Sequence, residues 1–218
     1  MAGVLFLITF ATSIPALWLF QPVLDDPAGY IAGGGDDNRI FLGALLELLL
    51  IIANVGTAVV LYPILKRQSD MLALGYVTAR LVECTLIAIG IVSVLAVVSL
   101  QQDAAGGDAG VVGVALAAMK DWTFILGPGF IVGVGNGLML GYLAYRSGLV
   151  PPRMAMLGLV GGPLICLSGI AVLFGVFDAG GTGQGLATIR EFLWELSLGL
   201  YLAFVGFRPS PILESSPA

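Results

Sequence analysis

Six ionisable side chains lie within long hydrophobic stretches of this chain, and they are its main candidates for chemistry. They are Glu47, Arg80, Glu83, Arg190, Glu191 and Glu195. A lone charge at the centre of a lipid bilayer costs about 2.5 to 3.5 kcal/mol, so such residues need partners or water. We therefore expect most of them to face the interior of a helix bundle.

Residue spacing predicts which of these groups share a helix face. Arg80 and Glu83 are three residues apart, and Glu191 and Glu195 are four apart. Residues at these separations lie one above the other on a helix, so Arg80 and Glu83 can pair directly. Arg190 lies nearer the outer end of its helix, where its long side chain can extend to the surface.

Three of the carboxyl groups are predicted to lie at similar depth on three different helices. Glu47 follows Asp37, a candidate helix N-cap, by ten residues, which is roughly 15 Å of helix. Glu83 and Glu195 are about as far from the starts of their own helices. The sequence thus predicts one shared polar pocket. Its candidate residues are Glu47, Asn54, Arg80, Glu83, Asn136, Glu191, Trp194 and Glu195.

The charge balance of this set is unequal. Four carboxyl groups face two arginines, so full ionisation would leave two negative charges in excess. Because burial and mutual repulsion disfavour that state, we expect at least one of Glu47, Glu83 and Glu195 to hold a proton at neutral pH. Such a group can carry protons in transport or act as a general acid. Purely structural pairing of Arg80 with Glu83 is the alternative.

Composition excludes several other kinds of site. The chain has no His, and its two cysteines, Cys84 and Cys166, lie in apolar stretches rather than in a CxxC motif. We expect no metal, no cofactor and, at a net charge of −5, no nucleic-acid partner. No predicted span contains a lysine, so a retinal-type Schiff base is not expected.

The whole chain has the composition of an integral membrane protein. Hydrophobic residues make up 58% and charged residues 11%, against about 45–50% and about 25% in soluble domains. We predict an all-α integral membrane bundle of six transmembrane helices in residues 1–208, followed by a short tail, 209–218. The predicted spans are 3–20, 41–64, 74–100, 122–145, 154–177 and 187–207. The first is interpreted as a retained helix rather than a signal peptide.

The distribution of cations predicts the orientation. One side of the predicted bundle carries five, namely Lys66, Arg67, Arg146, Arg153 and Arg208. The other side carries Arg39 and Lys120. The positive-inside rule then places both termini in the cytoplasm. The apolar segment from Val111 to Lys120 is too short to span, and would either lie on the outer surface or extend the fourth span outward.

A ladder of glycines marks the fourth span. Its members, each four residues apart, are Gly129, Gly133, Gly137 and Gly141. Small residues at this spacing let helix backbones approach closely. Packing within one bundle is the favoured interpretation, and a homodimer seam is the alternative. The preceding Gly127-Pro128-Gly129 predicts a bend, since proline removes a helix hydrogen bond.

Three strings of the sequence have a family resemblance. They are GVLFLITFATSIPALWLFQPVLDDPAGYI, RIFLGALLELLLIIANVGTAVVLYPILKRQSD and LALGYVTARLVECTLIAIGIVSVL. Together they resemble the uncharacterised bacterial six-span membrane protein family called DUF family 4386. The resemblance implies a bacterial inner-membrane location. It supplies no catalytic residues.

Three functions fit these features. The best prediction is binding of a small molecule or ion with proton-linked transport, which needs water access from both sides. An intramembrane enzyme, using a protonated Glu on a lipid or isoprenoid, would have a blind apolar cavity open sideways to lipid. A structural or accessory subunit would have a filled bundle. Expected partners are membrane lipids and either a small hydrophobic ligand or a proton.

Overall fold

The computed structural model of the chain describes residues 1–103 and 108–214, and the regular structure of these residues is helical throughout. Six long helices form the molecule. They are α1 (Ala2–Asp25), α2 (Asp37–Leu65), α3 (Asp70–Gln102), α4 (Ala109–Ser147), α5 (Pro152–Leu173) and α6 (Thr182–Phe204). Short helical turns cover Pro27–Gly29, Tyr30–Gly34 and Pro211–Glu214.

Five of the long helices, α1 to α5, are long and apolar enough to cross a bilayer. The sixth, α6, has 23 residues but carries Arg190, Glu191 and Glu195. Each predicted span coincides with one long helix. The fifth ends at Leu173 rather than at 177, because the chain turns there and Gly175 adopts a left-handed φ of 69°.

The six helices form a closed ring. Each packs against the next one along the chain, and α6 packs against α1. What we call the lower end of the bundle holds both ends of the described chain. There Gly3 approaches the backbone of Ala203, and the backbone N–H of Arg208 donates to the carbonyl of Leu149 at 2.9 Å. The cations that the sequence placed together belong to the helix ends, turns and tail at this end.

Two apolar cores fill the ends of the ring. The lower core includes Phe6, Leu61, Tyr76, Leu143 and Trp194. The upper core includes Phe20, Ile40, Ile87, Val94 and Val98. Most of the buried polar residues of α2 and α3 lie between Ala44 and Ala58 and between Tyr76 and Ile87, with Leu50 of the upper core among them. A polar layer therefore separates two hydrophobic ones.

Local hydrogen bonds define the helix ends at the top of the bundle. Asp36, rather than the predicted Asp37, caps α2 by accepting from the backbone N–H of Asn38. Asp37 instead accepts from the hydroxyl of Tyr30 at 2.6 Å and from Gln102 at 2.8 Å. Burial and this bond to Asp37 raise the pKa of Tyr30, so its hydroxyl stays a neutral donor.

Helix α4 differs most from its prediction. It starts at Ala109, so the segment from Val111 to Lys120 extends the fourth helix instead of lying on the surface. Lys120 was assigned to the outer side and is in fact buried within the bundle. The statement that no span contains a lysine was therefore wrong. The physical reason is a distant partner, Glu47, whose buried charge Lys120 neutralises.

The predicted disturbance at Gly127-Pro128-Gly129 takes the form of π-helical turns. These cover Gly127–Ile131 and Gly133–Leu140, with α-helical geometry before and after them. Pro128 has no backbone N–H, so it cannot continue the ordinary α-helical ladder. The wider turns end the regular 3.6-residue repeat in the middle of α4.

The glycine ladder packs α4 onto α5 of the same chain. A Cβ at Gly133 would lie 2.6 Å from the carbonyl oxygen of Gly162, and one at Gly137 would lie 2.4 Å from the Cα of Gly162. Gly141 faces Ala155 and Gly158 with more room, since a Cβ there would lie 3.5 and 3.4 Å from their backbone atoms. This is the packing role that the sequence favoured over a homodimer seam.

Candidate functional site

The first buried ion pair of the polar layer joins α2 to α4. The Nζ of Lys120 donates to both carboxylate oxygens of Glu47, at 2.6 and 2.7 Å. The same ammonium lies 4.8 Å from the ring centroid of Phe20. Because both charges are nearly inaccessible to solvent, the pair is held by direct hydrogen bonds and by the electron-rich ring face.

A second ion pair links α3 to α2 through an amide. The Nη1 of Arg80 donates to Glu83 at 2.7 Å, as the three-residue spacing predicted. The Nη2 of Arg80 donates to the side-chain oxygen of Asn54 at 2.7 Å, and Asn54 donates back to Glu83 at 3.2 Å. The three side chains form a closed triangle. The Nε of Arg80 has no hydrogen-bond partner among the described residues.

A third set of contacts joins α4 to α6. The side-chain amide of Asn136 donates a short hydrogen bond to Glu195. The indole N–H of Trp194 donates to the backbone carbonyl of Asn136 at 2.9 Å. Since this carbonyl lies within the π-helical stretch of α4, Trp194 satisfies a backbone group where the ordinary helix ladder is interrupted.

Glu191 is the exception in this layer. It is 2% exposed, and neither carboxylate oxygen has a hydrogen-bond partner in the part of the chain that the structure describes. It faces the glycines of α4 and α5, and a Cβ added at Gly137 or Gly161 would come within 2.8 or 2.9 Å of its Oε2. These two glycines leave room for the carboxylate but provide no side chain to bind it.

A cavity of about 250 Å³ adjoins the polar layer. Its polar wall includes seven side chains from α2, α3, α4 and α6, namely Glu47, Asn54, Arg80, Glu83, Lys120, Glu191 and Glu195. Much of the remaining wall is apolar and includes Leu50, Ile87, Val132 and Ile165. Thr9 and Ser13 of α1 also line it.

The cavity opens through the side of the bundle. Among its lining residues, Ile14 and Leu17 of α1, Phe124 of α4 and Phe192 of α6 are exposed. All four lie well inside their helices rather than at the helix ends. Below the opening, the rings of Phe10 and Phe192 meet edge to face at 5.2 Å. The opening is therefore bordered by α1, α4 and α6.

A second cavity lies beside the first, toward the α5–α6 connection. Its volume is about 340 Å³, and it shares Phe124, Pro128, Thr188 and Phe192 with the first cavity. Gly180 and Gln184 line its far side. The lateral opening thus continues toward the upper end of the bundle.

Six of the eight predicted pocket residues line one cavity. They are Glu47, Asn54, Arg80, Glu83, Glu191 and Glu195. The other two, Asn136 and Trp194, do not line it: Asn136 donates to Glu195, and Trp194 donates to the backbone carbonyl of Asn136. Arg190 is exposed, as its predicted extension to the surface requires.

Sequence reasoning missed Lys120 as a member of the site. The charge count nevertheless stays the same: Glu47, Glu83, Glu191 and Glu195 face Arg80 and Lys120, which is four carboxyl groups against two cations. The one signal that pointed to Lys120 was Glu47, an acidic residue in the middle of a span with no cation nearby on its own helix. The cysteines are free, and each lies beside a backbone carbonyl.

The structure thus defines a membrane-like helical bundle with charged groups around an interior cavity. Over residues 1–206 the chain matches the family described as "Domain of unknown function (DUF4386)". It belongs to that family, as the resemblance of its sequence indicated. No curated protein and no solved structure matches the chain.

Proposed function

We propose that this protein is a six-span inner-membrane protein that binds a small hydrophobic molecule taken from the bilayer. The observation that carries the proposal is the cavity itself. Buried charges that served only to hold helices together would be packed on all sides, as in a filled bundle. Here they line a space of about 250 Å³ that opens sideways between α1, α4 and α6.

The size of the cavity fits a small ligand. Its volume exceeds the roughly 150 Å³ of an apolar protein cavity that binds benzene, and is just below the usual range of about 300–1,000 Å³ for ligand sites. Exposed apolar side chains at the opening, including Phe124 and Phe192, are suited to contact lipid chains. A ligand dissolved in the bilayer would reach the polar groups without crossing an aqueous phase.

Helix α6 is proposed as the sixth span. It lies between α1 and α5 in the ring, and its acidic residues Glu191 and Glu195 line the interior cavity. Only Arg190 is directed outward, and its long side chain can reach the interface. With the cationic turns at the lower end, the positive-inside rule supports cytoplasmic termini.

Proton-linked transport is the second candidate. It is favoured by the two carboxyl groups in excess over cations at the cavity, which can take up and release protons. In this structure the lower core, with Phe6, Leu61 and Tyr76, closes the path toward the proposed cytoplasmic end. Transport therefore requires a second state in which these residues separate.

Native mass spectrometry of the protein released from detergent micelles tests the binding proposal. After incubation with decanol, the parent protein should retain one decanol per chain. Thr188→Phe fills the cavity mouth from α6 and should abolish retention. Leu193→Phe, an exposed position on the same helix that does not line the cavity, should leave it unchanged.

Two outcomes of this experiment contradict the proposal. One is that the parent retains no decanol, and the other is that Thr188→Phe retains as much as Leu193→Phe. A second measurement addresses catalysis. After prolonged incubation with an isoprenoid alcohol, chromatography of the extracted lipid should recover the alcohol unchanged if the protein only binds it, whereas a product of different retention time would favour an intramembrane enzyme.

A further inference from the structure

We infer that Glu191 is the binding site for the ammonium headgroup of an amphiphilic amine whose hydrocarbon part occupies the cavity. The inference rests on the proposed function and names the chemical class of its ligand. It starts from the one carboxylate in the polar layer that has no partner among the described residues.

The other three cavity carboxylates are already bound. Glu47 accepts two hydrogen bonds from Lys120, Glu83 accepts from Arg80 and Asn54, and Glu195 accepts from Asn136. Glu191 lines the same cavity, is 2% exposed and has two unoccupied oxygens. A buried carboxylate without a donor is costly, so a donor brought in by a ligand would be bound strongly.

Charge favours a cation over an anion at this position. The cavity holds four carboxyl groups and two cations, and both cations are committed to Glu47 and Glu83. An incoming ammonium would lower the excess negative charge, whereas an incoming carboxylate would increase it. An ammonium also carries three donors, which can be shared between Glu191 and the cavity-lining Glu195 one helical turn further along α6.

The walls require the rest of the ligand to be apolar. Between Glu191 and the lateral opening the cavity is bordered by side chains such as Val132, Ile165 and Phe192. A hydrocarbon chain placed there would leave its far end among the exposed apolar residues Ile14 and Leu17. The ligand therefore fits best with its headgroup at Glu191 and its hydrocarbon chain directed through the apolar opening toward the bilayer.

The competing site is the Nε of Arg80, a buried donor without a partner among the described residues. It would attract a fatty carboxylate rather than an amine. The two possibilities make opposite predictions for ligands with the same chain and different headgroups, so headgroup preference decides between them.

The test compares decylamine, decanol and decanoate by native mass spectrometry at one pH. The parent should bind decylamine at least tenfold more tightly than decanol, because a hydrogen bond between an ammonium and a carboxylate is stronger than one from a neutral hydroxyl. Decanoate should bind most weakly. Glu191→Gln should reduce the decylamine-to-decanol ratio to about one while keeping decanol binding, which also shows that the variant is folded.

Two further variants localise the effect. Glu195→Gln can still accept from Asn136 and should keep most of the amine preference. Glu191→Asp, the fallback if the glutamine variant does not fold, withdraws the carboxylate by one methylene and should weaken the preference.

The assignment to Glu191 is overturned by equal binding of amine and alcohol in the parent, by preference for decanoate, or by an amine preference that survives Glu191→Gln. Loss of the preference in Glu195→Gln alone would also overturn it. These outcomes leave decanol binding in place, so they are distinct from failure of the proposed function, in which decanol itself does not bind.

Discussion

The pair of Lys120 and Glu47 shows how strongly one buried contact can depend on a residue far away in the chain. The two residues are 73 positions apart, yet Lys120 places its ammonium 2.6 Å from the carboxylate. Both are almost completely buried. Removing either partner leaves an uncompensated charge in an apolar environment. The resulting loss of folding stability is far larger than the net stabilisation that the intact pair contributes.

Lys120→Met should therefore destabilise the protein by about 3 to 5 kcal/mol, the usual cost of breaking a buried pair. Adding Glu47→Gln removes the stranded carboxylate and should restore a large part of the lost stability. Thermal unfolding of the purified protein in detergent measures both changes. Arg190→Met, which removes an exposed cation of α6, is the matched control and should shift Tm little.

If Lys120→Met and Arg190→Met shift Tm equally, the ammonium does not neutralise Glu47 in the folded protein. If the double variant is no more stable than Lys120→Met, the carboxylate is stabilised by something other than Lys120.

The residues of the site were predictable where the relevant geometry is local. Arg80 and Glu83 share one helical turn, so their pairing follows from residue spacing alone. Lys120 was assigned to the surface because its segment, taken by itself, is too short to span. Its burial depends on where α4 begins and on the position of Glu47 in another helix, and neither is encoded in the local pattern.

Helix α4 is the element on which the site depends most. It contributes Lys120 to the cavity, Asn136 to the support of Glu195, and Gly137, one of the two glycines against which Glu191 lies. One π-helical turn lies between Lys120 and Asn136, and the other contains Asn136 and Gly137. Glycine and proline in the sequence predicted a disturbance there, but not that it would take the form of π-helical turns.

Gly137→Ala should destabilise the bundle. The added Cβ would lie 2.4 Å from the Cα of Gly162 and 2.8 Å from the carboxylate of Glu191. Backbone cannot move aside as a flexible side chain can, so we expect a loss of about 1–3 kcal/mol, typical of overpacking. The change in unfolding midpoint on heating provides the measurement.

Gly185→Ala is the control for this substitution. Gly185 lies in α6, and a Cβ there would meet nothing within 4 Å. Alanine at such a position should stabilise by about 0.4–1 kcal/mol through the unfolded chain. Equal effects at both positions would show that Gly137 is not in close contact with α5.

At the scale of the whole molecule, composition and periodicity predicted the long helices, and residue spacing predicted which polar side chains turn toward the interior. The cavity could not be predicted in this way. An unfilled volume depends on how the side chains of several helices fit together, and the same polar residues could equally have formed a solid core. The lateral opening between α1, α4 and α6 likewise depends on helix packing, which spacing along one helix does not specify.

The proposed orientation rests on the two ends of the ring. Lys66 and Arg67 in the α2–α3 turn and Arg146 in the last turn of α4 lie at the lower end, where both ends of the described chain also lie. A tag fused after Ala218 should therefore be protected from an added protease in intact cells and cleaved after permeabilisation. Cleavage in intact cells would reverse the proposed orientation.

The most direct test of the central claim is to locate a ligand inside the bundle. Crystals grown with 10-bromodecan-1-ol allow the bromine to be found by anomalous scattering. We predict the probe in the cavity, with its hydroxyl end near Glu191 and a bromine peak near the opening lined by Ile14, Leu17 and Phe192. The peak should be lost in Thr188→Phe and kept in Leu193→Phe. Bromine found only on the outer surface of the helices, with a cavity closed by side chains, would contradict the account and favour a purely structural role for the buried charges.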